Sequence, residues 1–140
     1  GKVQQLPVKQ HRTKTTSRYF NYIYVRMGAH TLIHKRTEDD IWKNLFELPL
    51  VETEKDLSEE EFLACPQFHA LFAEGEVRMV RILLRGVKHV LSHRVIYTNF
   101  YEVTLPDNSS SFSSYQRVAV EDLGRYAVPR LIHAFLEKYV

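Results

Sequence analysis

The stretch EVRMVRILLRGVKHVLSHRVIYTNFYEVTL, residues 76–105, is rich in β-branched, aromatic and aliphatic residues. Such a composition predicts strands, which we assign to residues 77–84, 87–91 and 94–105. The polar residues between the last two strands predict the turn of a hairpin with Ser92 at its tip. Lysine, arginine and histidine flank that serine, so the tip is either an ordinary turn or a surface that contacts a ligand.

The segment before this stretch predicts further strands. RYFNYIYVRM, residues 18–27, alternates in polarity and predicts a strand with one fully and one partly buried face. Gly28 and Ala29 form a short connection to a second strand, HTLIHKR, residues 30–36. IWKNLFELPL, residues 41–50, is predicted to be extended and interrupted by Pro49.

Helix signals appear on both sides of the hairpin stretch. Ser58 followed by Glu61 is a capping box and predicts a helix that begins near residue 59. Pro66 interrupts this helix, so we expect two short helices or a kink, with Gly75 as the stop. Pro129 is expected to open a final helix whose apolar face carries Leu131, Ile132, Phe135, Leu136 and Tyr139.

The segment between the hairpin stretch and the final helix is a polar loop over residues 106–116 and a short strand over residues 117–122. The resulting order, β-β-β-α-β-β-β-β-α, predicts an α+β or mixed α/β layer fold, that is, an α/β sandwich with a mixed or antiparallel sheet flanked by helices.

The composition indicates a single globular domain. The chain has 140 residues, of which 44% are hydrophobic and 26% charged. We expect no membrane span, because no run approaches the roughly 18 apolar residues that one needs. Cys65 is the single cysteine, so no internal disulfide can form, and we expect a cytoplasmic protein. The missing start methionine suggests a piece of a longer chain.

Charge is distributed unevenly along the sequence. Residues 1–36 carry eight Lys or Arg and no acid, whereas residues 37–76 carry twelve acids and two lysines. Residues 77–105 are basic again, with five Lys or Arg and one glutamate. The blocks suggest one face that attracts a polyanion and another that does not.

Residue patterns for catalysis or metal binding are weak. Glu59, Glu60 and Glu61 are consecutive, so on a helix they fan out by about 100° each instead of converging on one ion. Cys65 and His69 have no second pair of ligands with suitable spacing. Ser92 and His93 point to opposite faces if they lie on a strand. We therefore expect no catalytic residue and no metal site, and favour a binding module.

Several motifs resemble one family. HVLSHRVIY, residues 89–97, is similar to the His-x-Phe-Ser-His segment in the C-terminal domain of MutY-type adenine DNA glycosylases, with Leu91 in place of the usual phenylalanine. IWKNLFELP resembles the family's Leu-Trp-x-Gly-Leu-Trp-Glu-Phe-Pro. LPVK at residues 6–9, RYFNYIYV at residues 18–25 and LGRYAVPRLI at residues 123–132 agree in order, so the resemblance spans nearly the whole chain.

The resemblance implies a Nudix-like fold. Nudix hydrolases carry Gly-x5-Glu-x7-Arg-Glu-U-x-Glu-Glu-x-Gly-U, but residues 50–62 read LVETEKDLSEEEF, without the glycine or the Arg-Glu-x-x-Glu-Glu. The resemblance therefore implies that the fold is kept without the hydrolase site. It divides the chain into an interdomain linker over residues 1–17 and a Nudix-like domain over residues 18–140.

The resemblance also assigns roles around the serine. In the family, the serine-bearing loop reads 8-oxoguanine opposite adenine, which implies that Leu91, Ser92 and His93 recognise the lesion base. Oxidation converts N7 of guanine from an acceptor to a donor and adds a carbonyl at C8. The Ser92 hydroxyl can accept from the new N–H, and its backbone N–H can donate to the new oxygen. Lys88, His89 and Arg94 are candidates for contacts with the DNA backbone.

The implied parent protein is an adenine DNA glycosylase of base excision repair. Its catalytic domain and [4Fe–4S] cluster precede this chain, which needs no cofactor of its own and has one cysteine where a four-iron cluster needs four. The implied partners are double-stranded DNA with 8-oxoguanine:adenine mispairs and the catalytic domain in cis. We expect a monomer, nucleoid-associated if bacterial.

Two other functions stay open. One is a free-standing Nudix-type hydrolase of a nucleoside diphosphate derivative. The other is a protein–protein interaction module that uses the acidic residues 37–76 to bind partners such as replication clamps.

Overall fold

A four-stranded mixed sheet organises the protein. The computed structural model describes residues 15–140. Its strands are β1 Thr16–Arg26, β4 Leu50–Thr53, β5 Met79–Val90 and β6 Arg94–Thr104. They lie in the order β4-β1-β6-β5. β1 and β6 run parallel in the centre, whereas β4 and β5 are antiparallel to their neighbours.

A second, antiparallel sheet has three short strands, β2 His30–Lys35, β3 Phe46–Glu47 and β7 Gln116–Ala119. They lie in the order β3-β2-β7. The predicted connection at Gly28 and Ala29 is a tight turn, closed by two hydrogen bonds of 3.0 Å between Met27 and His30. After this turn the chain leaves the four-stranded sheet and enters the three-stranded one.

The four-stranded sheet is covered on both faces. On one face, the α3 face, side chains such as Phe20 and Phe100 pack with β2, β7 and the helix α3 Arg130–Tyr139. On the other, the α1 face, side chains such as Ile23 and Tyr101 pack with the helices α1 Glu59–Ala64 and α2 Pro66–His69. Residues 20–25 are all buried. The prediction of one partly buried face on this strand is wrong, because a central strand lies between two layers.

The signals that predict helix starts are confirmed, whereas one predicted helix end is wrong. Ser58 caps α1, with both hydrogen bonds of the capping box to Glu61 present. Pro66 begins α2 directly after α1 ends, so the chain forms two short helices. The predicted stop at Gly75 is wrong, since α2 ends at His69 and residues 70–75 form turns. Pro129 precedes α3, whose buried side chains are Leu131, Ile132 and Phe135.

Three predictions about strands need correction. Residues 77–84 and 87–91 do not form two strands, because β5 continues from Met79 to Val90 through two register irregularities. Residues 41–50 are not continuously extended, because residues 41–44 form a turn. The strand predicted at 117–122 ends at Ala119 and is followed by a 3₁₀ helix, Val120–Arg125. Of the predicted linker, residues 1–14 lie outside the described residues, and β1 begins at Thr16.

Candidate nucleic-acid interface

The tip of the β5–β6 hairpin presents Ser92 to solvent. The strands pair as far as Val90 and Val95, and the Leu91 N–H donates to the Arg94 carbonyl at 2.8 Å. This bond leaves Ser92 and His93 as exposed residues in the bend. Within residues 15–140, the Ser92 N–H has no backbone partner. The tip therefore offers a hydroxyl and a backbone donor that an external group can reach.

The hairpin tip is attached to the start of β1. The Thr16 N–H donates to the His93 carbonyl at 3.1 Å, and the Thr16 hydroxyl lies 3.4 Å from the same oxygen. Because the carbonyl of His93 is engaged from the neighbouring strand, the bend has a defined position relative to the central sheet.

Leu91 is half-buried and packs against the hydrophobic cluster on the α3 face. The large apolar side chain that is exposed next to Ser92 is instead Val90, at 65% exposure. Strand alternation places the two residues on opposite faces. Strand alternation in the sequence is therefore consistent with an outward-facing Val90, whereas the family resemblance pointed to Leu91.

Irregularities in β5 determine which residues face inward near the tip. Register shifts separate Ile82 from Leu84 and Leu84 from Val87. Gly86 has φ +70°, and its N–H donates to the Asn99 side-chain oxygen at 2.7 Å. Bulges reverse the alternation of side chains along a strand. Their effect here is that Ile82 packs on the α1 face, whereas Leu84, Val87 and Leu91 pack on the α3 face.

The two other candidates on β5 differ in exposure. His89 is partly buried, and its ring lies edge-on to the indole of Trp42, with centroids 5.9 Å apart. Lys88 is exposed, and within residues 15–140 it forms no salt bridge. Lys88 is therefore the more accessible of the two for a phosphate, whereas His89 connects the hairpin to the turn that carries Trp42.

Arg94 is paired with Asp40, a residue that sequence reasoning missed. Its guanidinium lies 3.3 Å from the Asp40 carboxylate. The same carboxylate accepts two hydrogen bonds of 2.9 Å from Arg18 and one of 3.0 Å from Arg36. The Arg18 guanidinium holds the pKa of Asp40 well below its usual range. We call these four residues the Asp40 hub. No local motif identifies it, because only Arg36 lies near Asp40 in sequence, whereas Arg18 and Arg94 are 22 and 54 positions away from it.

A buried carboxylate lies next to the Asp40 hub. Glu47 is 2% exposed and accepts hydrogen bonds from the Tyr22 hydroxyl at 2.6 Å and from Arg36 at 3.0 and 3.1 Å. The His34 Nε2 lies 2.9 Å from it. Burial, and then the charge of Glu47, raise the pKa of Tyr22 well above its usual value. Both Glu47 carboxylate oxygens have hydrogen-bond partners, which indicates a structural role for this carboxylate, whereas the buried His34 Nε2 lies close to it and has no hydrogen bond within residues 15–140.

Ion pairs join the charge blocks of the sequence. Arg18 pairs with Glu52, Arg85 with Asp56, and Arg94 with Asp40. In each pair, a cation from a basic block meets an acid from residues 37–76. The blocks therefore do not map directly onto one cationic and one anionic face.

The acidic first turn of α1 forms a cap. Glu61 accepts a hydrogen bond from the Ser58 N–H at 2.9 Å, and the Ser58 hydroxyl accepts one from the Glu61 N–H at 3.1 Å. Among residues 15–140, no group of three or more His, Cys, Asp or Glu side chains is placed to hold a metal ion. Over the same range, no helix is long and apolar enough to cross a membrane.

Comparisons with known proteins identify the fold. A family model described as NUDIX domain matches residues 21–138. The C-terminal domain of mouse MUTYH, solved in complex with human PCNA, superposes with a TM-score of 0.63 at 15% identity, covering 87% of this chain and 86% of that chain. The MutT protein from Methanosarcina mazei Go1 superposes with a TM-score of 0.56 at 18% identity, covering 89% and 93%.

The E. coli ORF135 protein gives a TM-score of 0.56 at 14% identity, covering 94% of this chain and 91% of that one. A comparison with curated proteins found no match. At these identities the superpositions establish a shared fold, which is the predicted Nudix-like α+β arrangement.

Proposed function

This chain belongs to the NUDIX domain family, and from that premise we propose that it is the lesion-recognition domain of an adenine DNA glycosylase. In this proposal the Ser92 hairpin reads 8-oxoguanine opposite adenine. Excision of the adenine, and the [4Fe–4S] cluster, belong to a catalytic domain in the same protein. Cys65 is the one cysteine of the chain and cannot ligate such a cluster alone.

The observation that carries the proposal is the exposure of Ser92 in a bend that matches the family motif at His89, Ser92 and His93. The bend has an available N–H and an exposed hydroxyl. Together these groups supply one acceptor and one donor, which is the complement of N7–H and O8 on the oxidised base. His93, exposed beside Ser92, is positioned in this proposal against the same base step.

Removal of the Ser92 hydroxyl tests the proposal. The 140-residue chain is titrated with duplexes that differ only in 8-oxoguanine:adenine or guanine:adenine, and binding is followed by fluorescence anisotropy. A good base contact is worth about 1–3 kcal/mol, so Ser92→Ala should reduce the ratio of the two affinities by about 5- to 150-fold. The matched control is Ser113→Ala, which removes an exposed hydroxyl elsewhere. A ratio that Ser92→Ala leaves unchanged would remove Ser92 from the recognition site.

A nucleotide hydrolase is the second candidate, favoured by the likeness to MutT from Methanosarcina mazei. It predicts that the chain with Mg²⁺ turns over 8-oxo-dGTP, measured as release of phosphate or pyrophosphate, and that chelation stops the reaction. Turnover that survives Ser92→Ala but is lost with Glu60→Gln and Glu61→Gln would establish the hydrolase and refute the lesion reader.

A protein partner is the third candidate, favoured by the superposition on the C-terminal domain of mouse MUTYH in its complex with human PCNA. In this case the acidic residues 37–76 would supply the contact surface. Binding to PCNA that is insensitive both to Ser92→Ala and to added DNA would support a partner surface separate from the hairpin.

A further inference from the structure

The turn over residues 41–45 has an unusual backbone. Trp42 has φ +58° and Asn44 has φ +72°, so two residues other than glycine lie in the left-handed region within three positions. This conformation costs free energy and persists only where surrounding contacts impose it, and such residues concentrate at functional sites.

Arg36 imposes this conformation from three directions. Its carbonyl accepts from the Asn44 N–H at 2.6 Å, and its own N–H donates to the Leu45 carbonyl at 2.9 Å. Its Nε donates to the Ile41 carbonyl at 3.1 Å. The Arg36 side chain thus holds the start of the turn, and the Arg36 backbone holds its end.

The turn is also joined to the Ser92 hairpin at two places. The indole of Trp42 contacts the His89 ring, and the Asp40 carboxylate, just before the turn, pairs with Arg94. His89 and Arg94 lie on either side of the tip. The turn and the tip therefore form one continuous surface, in which a displacement of either changes the contacts of the other.

Lys43 lies between the two strained residues and is exposed. In the part of the chain that the structure describes it forms no salt bridge. An exposed cation on a clamped turn loses little conformational freedom of the backbone when it binds an anion. By contrast, Arg94 is already opposite Asp40, so its charge is compensated.

We propose that the 41–45 turn is a second DNA-contacting element, in which Lys43 binds a phosphate of the duplex that Ser92 reads. The inference deepens the proposed function and rests on it. Arg94 then serves as a tie between turn and hairpin, and the phosphate contacts come from Lys43 and Lys88. The exposed acids Glu38 and Asp39 precede the turn and repel a phosphate electrostatically. Salt screens this repulsion as well as the attraction of Lys43, so the contribution of Lys43 to binding depends on the salt concentration.

A salt titration of Lys43→Gln tests this contact. One lost phosphate contact makes the negative slope of log affinity against log salt shallower by about 0.9. This corresponds to a loss of about eightfold in affinity at about 0.1 M salt when the variant and the wild type bind equally at about 1 M salt. The loss should be equal for the 8-oxoguanine:adenine and guanine:adenine duplexes, because phosphate contacts carry no base information. Lys138→Gln, which removes an exposed lysine on α3, is the matched control and should keep the wild-type slope.

The outcomes separate the two proposals. If wild-type chain prefers the lesion in a Ser92-dependent manner but Lys43→Gln behaves like Lys138→Gln, the contact at Lys43 is refuted and the lesion reader stands. If Lys43→Gln loses affinity and slope while Ser92→Ala changes nothing, the lesion reader is refuted and the phosphate contact stands. A wild-type chain that does not bind duplex DNA refutes both.

Discussion

Asp40→Asn is the substitution that probes the centre of the Asp40 hub. The carboxylate contacts Arg18 twice at 2.9 Å, Arg36 at 3.0 Å and Arg94 at 3.3 Å. Asparagine has nearly the same shape but no charge, and its amide nitrogen cannot accept a hydrogen bond. The variant therefore leaves three guanidinium groups with reduced compensation and little change in packing.

The expected loss of stability follows from the exposure of the partners. The side chains of Arg18 and Arg36 are 19% and 10% exposed, and that of Asp40 is 25% exposed. Fully buried pairs cost about 3–5 kcal/mol to break, and surface pairs about 0–1 kcal/mol. For this partly buried hub we expect about 2–3 kcal/mol. With a urea dependence of about 2 kcal/mol per M, the unfolding midpoint should fall by about 1–1.5 M.

The difference in free energy of unfolding between wild type and Asp40→Asn should also depend on pH, which is a more specific test of the Asp40 charge. Because the pKa of Asp40 is lowered in the folded protein from its ordinary value near 3.8, the ionised carboxylate favours the folded state above that ordinary pKa. The stabilisation is lost as pH falls through the lower, folded-state pKa. The gap between wild type and Asp40→Asn should therefore be complete at pH 6–7 and shrink progressively below about pH 4.

Urea unfolding followed by tryptophan fluorescence at several pH values measures both quantities. Asp122→Asn is the matched control, because Asp122 pairs with Arg125 at 3.6 Å on the surface, where the arginine is 81% exposed. It should cost less than about 0.5 kcal/mol. If Asp40→Asn also costs less than that, or if its cost does not change between pH 7 and pH 3, the Asp40 hub does not stabilise the fold as argued.

Two further substitutions test the layers and the tight turn. Phe62→Ala should destabilise the protein by about 3–5 kcal/mol in urea unfolding, because Phe62 is fully buried and its ring centroid lies 4.5 Å from that of Tyr101 and 5.2 Å from that of Phe68. A loss below about 1 kcal/mol would contradict the packing of α1 on the sheet. Gly28→Ala should lower the free energy of unfolding by about 1–2 kcal/mol, because Gly28 has φ +62° and an added Cβ would lie 2.7 Å from the Asp107 carboxylate. Any stability that is recovered when Gly28→Ala is combined with Asp107→Ala measures the steric part of this loss, and the remainder measures the backbone part.

Features controlled by neighbouring residues were predictable from the sequence. The start of α1 follows from Ser58 and Glu61, the break between the two short helices follows from Pro66, and the start of α3 follows from Pro129. In each case the energetic preference resides in one residue and its nearest hydrogen-bond partners along the chain, so tertiary contacts did not need to be known.

Features controlled by distant partners were not predictable. The turn at 41–45 reads as part of an extended apolar run, because nothing in Trp42 signals a positive φ, although asparagine at position 44 is a residue type that tolerates one. Its conformation is imposed by Arg36, which is visible only in the folded protein. The continuity of β5 likewise depends on β6, since Gly86 is accommodated as a bulge by the side chain of Asn99.

The candidate site also combines features that were predictable from the sequence with features that depend on distant residues. A serine between two strands with polar neighbours predicts an exposed bend, and Ser92 is exposed. The inward position of Leu91 and the pairing of Arg94 depend on the layer packed against the α3 face and on Asp40, which is 54 positions away from Arg94. Charge counts along the chain cannot supply this information, because they do not say which cations already have a partner.

The pairing of Arg94 matters for a domain that is proposed to discriminate between bases. Non-specific affinity for duplex DNA grows with the number of phosphates that cations neutralise, whereas discrimination comes from base contacts. Because the charge of Arg94 is compensated by Asp40, Arg94 adds little to non-specific affinity. The same ion pair connects Asp40 to the hairpin and so helps to fix the position of Ser92, which in this proposal supplies the base contact. If the chain reads a base as proposed, Asp40 raises the ratio of specific to non-specific binding in both ways, and both effects are lost together when its charge is removed.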